Sequence, residues 1–220
     1  MKGIYLGLAL AALFVSLAAA CQRSENANTN SSANQNMTNQ NGMMASNQKM
    51  PEMTDQMKSD PNAASQPYDL QFIDTMTTHH QGAIVMAEIA LKRTSNAELK
   101  KFAQKIIDDQ NKEISQMKGW RGKWYPGKPR SMNMEMPGMM DSMMMMTGSG
   151  MKKMESSTGK DFDLMFLDMM TPHHAGAVEM AKEALSKAEH NEIKTLARNI
   201  INAQEAEIKE MADWKLKWSK

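Results

Sequence analysis

The chain has 220 residues, of which 26 are Met and one is Cys, and a formal charge of +1. That balance leaves no basic footprint for nucleic acid, and a single Cys excludes both an intramolecular disulfide and a thiolate metal cage. Ordinary usage is led by Leu, Ala and Gly, so the methionine content is the anomaly to explain.

Residues 1–20, MKGIYLGLALAALFVSLAAA, carry one Lys and then an apolar stretch ending in small residues, the layout of a secretory signal rather than a membrane span. Cys21 follows directly. This arrangement resembles a bacterial lipoprotein signal in which Cys21 becomes the lipidated first residue, although Ala18 stands where Leu is commonest. The alternative is an ordinary signal peptide cut nearby. Residues 22–66 are Asn, Gln, Ser, Thr and Ala with scattered Met, too poor in large apolar groups to offset the entropy of ordering, and are expected to form a disordered tether.

The remainder is a duplication. DLQFIDTMTTHHQGAIVMAEIAL, from Asp69, is repeated as DLMFLDMMTPHHAGAVEMAKEAL, from Asp163; the run from Glu98 to Trp124 is repeated from Glu192 to Trp218. The register never slips and roughly half the paired positions are identical, the mark of one repeated supersecondary unit. Asp69, Phe72, Met76, His79, Ala83, Met86 and Ala90 alternate at spacings of three and four, as do Leu99, Ala103, Ile106, Gln110, Glu113, Met117, Trp120 and Trp124. Each unit therefore reads as two helices with a bundle seam, broken at Thr94-Ser95-Asn96, which can cap the next helix, and at Tyr125-Pro126-Gly127. Two hairpins, 67–125 and 161–220, can bury their seams mutually as an all-α, ferritin-like four-helix bundle. Residues 126–160 form a linker too long for a bundle turn, expected to be functional or disordered.

The chemistry is expected in MTTHHQGAIVM, residues 76–86, and its copy MTPHHAGAVEM, residues 170–180. On a helix Met76 lies one turn before both His79 and His80, and His79 shares a stripe with Met86; Met170, His173, His174 and Met180 repeat the set. Thioethers select Cu(I), and imidazole suits copper in either oxidation state. The bland alternative is satisfied core histidines among adaptable Met packing. Across the hairpin Gln110 and Glu113, with Gln204 and Glu207, are expected to face the His pairs. They would serve either as a hydrogen-bond network satisfying neutral imidazoles or as groups that orient or join metal ligands. His190, whose partner position is Asn96, is expected to cap or lie at the surface. A ferritin-like redox enzyme is a weaker reading, since no Glu-x-x-His motif occurs.

In the linker, MNMEMPGMMDSMMMM places Met132, Met134, Met136, Met139, Met140, Met143, Met144, Met145 and Met146 among Gly, Pro and Ser. With no periodic apolar partner these thioethers are expected to face solvent, where oxidation threatens them, and to act as labile Cu(I) ligands. The alternative is a greasy segment that docks on a partner or on the bundle.

The repeat resembles the bacterial family catalogued as domain of unknown function 305, through Asp69, Phe72, Met76, His79, His80, Gly82, Ala83, Met86, Ala87, Gln110, Glu113, Ile114 and Met117 and again through the positions of the second copy. That resemblance implies a ferritin-like helical bundle and, by its members of the CopM type, periplasmic copper handling through Met and His. The combined expectation is an exported, lipid-anchored copper binder rather than an enzyme, with Cu(I) favoured and Cu(II) accommodated. Its ligands would be the two Met-His-His sets with Met117, Met211 and the linker methionines. Copper-exporting or copper-accepting envelope proteins would be its partners, and no nucleic acid. The rival from another class is a metal-free envelope interaction protein.

Overall fold

The computed structural model describes residues 58–146 and 149–220; the signal segment, Cys21 and the tether as far as residue 57 lie outside the described residues. Six α-helices and no strand occur among them: α1 (Tyr68–Arg93), α2 (Ala97–Trp124), α3 (Met139–Met146), α4 (Ser149–Ser156), α5 (Gly159–Lys187) and α6 (Asn191–Trp218). The protein is an all-α bundle of two duplicated hairpins, α1–α2 and α5–α6. Asn96 starts α2 as expected of a capping residue, its side chain accepting from the backbone N–H groups of Glu98 at 2.9 Å and Leu99 at 3.3 Å. No helix among the described residues is long and apolar enough to cross a membrane.

The two hairpins are joined at their centres by α1 packing on α5. His79 and its own repeat equivalent His173 lie with ring centroids 3.8 Å apart and ring planes tilted by 39°, so the pseudo-twofold axis passes between them. At the periphery each unit clasps the other's turn. The buried carboxylate of Asp69 accepts from the backbone N–H groups of Glu189 and His190 and pairs with His190 Nδ1 at 2.6 Å. At the equivalent place, Thr94 donates its hydroxyl to Asp163 at 2.6 Å. His190 lies at the N-terminus of α6, stacked on Trp124 at 3.8 Å, a structural position as the sequence suggests. Two apolar clusters flank the axis, one around Phe72, Met76, Met117 and Met180 and the other around Met86, Phe162, Phe166, Met170 and Met211.

The linker overturns an expectation. Met132, Met134, Met136, Met139, Met143 and Met146 are buried rather than displayed to solvent, as are Met151 and Met154 of α4. Two short helices fold the segment back onto the bundle, α3 lying against α5 and α1. Residues 128–138 pack as irregular chain and show no helical period, whereas in α3 the buried Met139, Met143 and Met146 do follow helical spacing, hidden in the sequence by the exposed Met140, Met144 and Met145 between them. Polar side chains of α1 hold it there. Asp74 accepts from Ser131 N at 2.8 Å and Arg121 Nε at 2.6 Å, Thr75 accepts from Asn133 N at 2.9 Å, and Gln71 from Asn133 Nδ2 at 2.8 Å. The end of the expected tether is likewise ordered: Asp60 accepts from Arg130 and from Met132 N, both at 2.8 Å.

Candidate metal centre

Why should a bundle core hold four histidines? His79, His80, His173 and His174 are all fully buried, and burial of a polar ring is favourable only where its nitrogens find partners. Half of that requirement is met for one member of each pair. His80 Nε2 lies 2.7 Å from Glu113 Oε2 on α2, and His174 Nε2 lies 2.8 Å from Glu207 Oε2 on α6. A carboxylate only accepts, so Nε2 is assigned as the protonated nitrogen of each ring. Nδ1 of both rings is buried with no hydrogen-bond partner among the described residues. Among the described residues His79 and His173 have no hydrogen-bond partner at either nitrogen. Burial lowers the affinity of both rings for a proton well below the ordinary imidazole range, and the neighbouring histidines lower it further. The backbone of the facing His pulls the other way, but without hydrogen-bond geometry at either ring.

Of the two roles considered for Glu113 and Glu207, orienting a ring is the one the geometry displays. Among the described residues no network satisfies all four imidazoles, and Gln110 Oε1 and Gln204 Oε1 are themselves buried without partners. A metal-ligating His characteristically donates one N–H to a carboxylate and presents the other nitrogen to the ion, and His80 and His174 have that arrangement. Among the described residues no three His, Cys, Asp or Glu converge as a ready-made cage, so further donors would be thioethers or would arrive by side-chain rearrangement.

One thioether is at hand. A Cβ placed on Gly82 would meet Met146 Sδ at 2.5 Å and His173 Nε2 at 3.2 Å. The missing side chain thus leaves a space bordered by both a linker sulfur and an orphaned imidazole nitrogen. At the equivalent glycine the space is used differently: Gly176 lies against the backbone of Gly138 and the hydroxyl of Ser142, which lets α3 sit down on α5. Both glycines therefore admit the linker, not the partner helix of the hairpin.

The structure distributes the other candidates unevenly. Met76, Met117, Met180 and the linker residues Met132, Met134, Met136, Met139 and Met143 share one apolar cluster; Met86, Met170, Met211 and Met146 belong to the other. The sulfurs of Met117 and Met211 receive the hydroxyls of Thr77 at 4.0 Å and Thr171 at 3.8 Å. Met140, Met144 and Met145 are exposed at 41%, 51% and 40%. The residues that seat the linker, Gln71 and Thr75, were not singled out in the sequence. They are replaced by Met165 and Met169 in the second copy, so positions where an otherwise regular repeat disagrees with itself were the available signal.

A pH dependence follows. The unfolded chain takes up protons on His79 and His173 near pH 6.5, while the folded chain refuses them until well below. Stability of the metal-free protein is therefore full above that value and declines as pH falls through it, by about 1.4 kcal/mol per unit for each ring. Urea midpoints measured between pH 7.5 and pH 5 check this, and a flat profile would show that these rings are not held neutral.

The family described as a domain of unknown function (DUF305) matches residues 69–215. Among solved structures, the chain is similar to a putative secreted DUF305 protein from Streptomyces coelicolor, at 32% identity and a TM-score of 0.62, over 72% of this chain and 95% of that one. It is also similar to CopM in its Cu(I)-bound form, at 36% identity and a TM-score of 0.57, over 69% of this chain and 98% of that one. For CopM in its Cu(II)-bound form the identity is 39% and the TM-score 0.58, over 68% and 97%. No curated protein matches.

Proposed function

We propose, for a chain that belongs to the domain of unknown function family DUF305, that it is an exported copper-binding protein which sequesters Cu(I) or passes it on. It acts as a binder and not as an enzyme. Copper is the cargo, and the residues that take it are His79, His173, the Nδ1 atoms of His80 and His174, and the thioether of Met146. The single observation that carries this reading is the set of buried ring nitrogens without partners. Gln110 Oε1 and Gln204 Oε1 apart, they are the buried side-chain nitrogens and oxygens left without a partner among the described residues, and so stand available to a ligand. His79 and His173 are held neutral by burial, so no proton has to leave these rings for the ion to arrive, and the thioether, which stays unprotonated at any biological pH, favours a soft ion. Solved structures of CopM with Cu(I) and with Cu(II) support the choice of metal. Cys21 would tether the chain to a membrane by lipid, with copper-exporting or copper-accepting envelope proteins as partners.

The other linker methionines take a supporting part: those buried build the surface that holds Met146 in place, and Met140, Met144 and Met145 offer weaker, labile sites. The test is a titration of the mature protein with Cu(I) against a competing chelator, repeated with Cu(II), Zn(II) and Ag(I). Tight Cu(I) and Ag(I) binding is expected, with Zn(II) weaker by about a hundredfold or more because it gains little from a thioether. An affinity for Cu(I) that survives replacement of all four histidines and Met146 would remove the assignment.

A further inference from the structure

Between the C-terminal half of α2 and the N-terminal half of α6 a surface groove of about 460 Å³ opens, with Trp120 and Leu196 as its apolar wall. Gln116, Asn191, Glu192, Thr195 and Asn199 complete the lining. That volume falls in the range that small organic ligands occupy. No Lys or Arg lines the groove, so an anion finds no countercharge there. Trp120 is held as a platform. Its ring stacks on Trp124 with centroids 5.5 Å apart and planes within 11°, and Trp124 stacks in turn on His190 at 3.8 Å. His190 is itself tied to Asp69 at 2.6 Å, so the orientation of the indole is set before anything binds. The polar groups around it are unused. Among the described residues the side chains of Gln116, Asn191, Glu192 and Asn199 make no hydrogen bond or ion pair. Thr195 gives its proton to the carbonyl of Asn191 at 2.9 Å and keeps its oxygen as an acceptor.

The duplication supplies the contrast. The repeat equivalents of Trp120, Leu196, Thr195 and Asn199 are Trp214, Phe102, Lys101 and Lys105. There the Phe102 ring stands edge-on to Trp214, with centroids 5.1 Å apart and planes at 80°. Lys105 Nζ lies 2.7 Å from Glu207 Oε1 and 2.8 Å from Asp109 Oδ2, and Glu98, the counterpart of Glu192, is taken by Lys217 at 2.9 Å. The second indole thus meets an aromatic side chain, and Lys105 and Glu98 beside it already have partners. The first faces a groove of amides.

We infer that the Trp120 groove is a binding site for a neutral sugar ring, which lays its C–H face on the indole and its hydroxyls against the amides of Gln116, Asn191 and Asn199 and the carboxylate of Glu192. The face of an aromatic ring is the negative side of its quadrupole and attracts the weakly positive C–H bonds of a pyranose. The rim of such a ring carries hydroxyls that both donate and accept. Side-chain amides answer both roles and a carboxylate answers the donors. A quaternary ammonium is another guest of indoles, but it is gripped by a cage of several aromatic faces, and this groove is lined by one indole. The site shares no residue with the histidine centre and does not depend on the copper reading.

Cellobiose and N,N′-diacetylchitobiose are the probes, each titrated into the full mature protein, with saturation-transfer NMR reporting contact with the sugar ring protons. Binding of at least one of them with a Kd of about 1 mM or tighter is expected, weakened at least about tenfold by Trp120→Ala. Leu196→Phe copies the half that has no such groove and should weaken binding likewise. Because the repeat already holds Phe102 at the equivalent position, this variant is expected to keep its fold. Should either core variant fail to fold, Gln116→Ala with Asn199→Ala, at two exposed positions, lowers the same affinity without touching the core. Protein lacking His79 and His173 should bind the sugar as the wild type does, so failure of the copper reading leaves this result standing. Transfer to neither sugar, affinity unchanged in Trp120→Ala and in the double amide variant, or binding of choline and of neither sugar, overturns the site.

Discussion

A chain carrying His79→Leu and His173→Leu together is expected to unfold at higher urea concentration than the wild type when no metal is present, and to bind Cu(I) at least about a hundredfold more weakly. Both halves come from the same atoms. Each neutral imidazole brings one donor and one acceptor into a fully buried position where neither finds a partner, and an unmet buried polar group costs about 1–3 kcal/mol. The tilted contact of the two rings at 3.8 Å returns at most about 0.5–1.5 kcal/mol, which is less than the four unmet nitrogens cost. Leucine is of similar size and asks for no hydrogen bond, so the double variant should gain about 1–3 kcal/mol after imperfect repacking is subtracted. In exchange two nitrogen ligands vanish, and a hundredfold loss corresponds to about 2.7 kcal/mol of binding free energy. Stability given up at a site and recovered when its ligand is removed from consideration is the usual signature of function. Chemical denaturation of apo protein and a Cu(I) competition assay measure the two halves. A variant that is less stable than wild type and still binds Cu(I) as tightly would make the ring pair a packing feature and nothing more.

Gly176→Ala is expected to cost about 3 kcal/mol or more and to release the linker, whereas Gly82→Ala, its equivalent in the first unit, leaves the fold intact. Both substitutions raise helix propensity by about 1 kcal/mol, and a rule that looked only at the repeat would score them alike. What each new methyl meets differs. At Gly176 it strikes the backbone of Gly138 and the Ser142 hydroxyl, and Gly138 itself sits at a φ of +72°, so the chain there has little freedom to yield. At Gly82 it strikes the sulfur and terminal methyl of Met146, the far end of a flexible side chain that can swing aside. Gly82→Ala should then keep its melting temperature within a few degrees yet lose Cu(I) affinity by about tenfold, because the thioether no longer rests beside His173. Limited proteolysis within residues 126–160 reads the first effect, with rapid cutting in Gly176→Ala and slow cutting in wild type and Gly82→Ala. Equal resistance in all three would show that α3 does not depend on the Gly138–Gly176 contact.

Much of the bundle is legible in the chain alone, because two hairpins written twice at one register leave few ways to bury a repeated apolar stripe. Helices α1, α2, α5 and α6, the break at residues 94–96, the four histidines and the facing glutamates all follow from periods of three and four. The linker was not legible. Most of its methionines are buried by contacts with α1 and α5 that are distant in sequence, and the groups that seat it, Asp74, Thr75 and Gln71, read individually as ordinary polar positions on a helix. Met76 and Met86 carried the strongest local signal for proximity to His79, yet the sulfur resting beside a ring nitrogen at Gly82 is that of Met146, from a separate helix.

Periodicity and duplication thus prescribe a symmetric bundle with paired imidazoles at its waist, since local propensity and apolar spacing are properties of neighbouring residues along the chain. Mismatches between the copies, such as Gln71 and Thr75 against Met165 and Met169, already make the two halves unequal in sequence, and three-dimensional packing decides what that inequality does. It decides which glycine receives a sulfur and which a backbone, which glutamate shares an ammonium, and which nitrogens are left without a partner. Hydrogen bonds and close contacts depend on atoms brought together from far apart in the chain, and a single linear repeat carries no record of them.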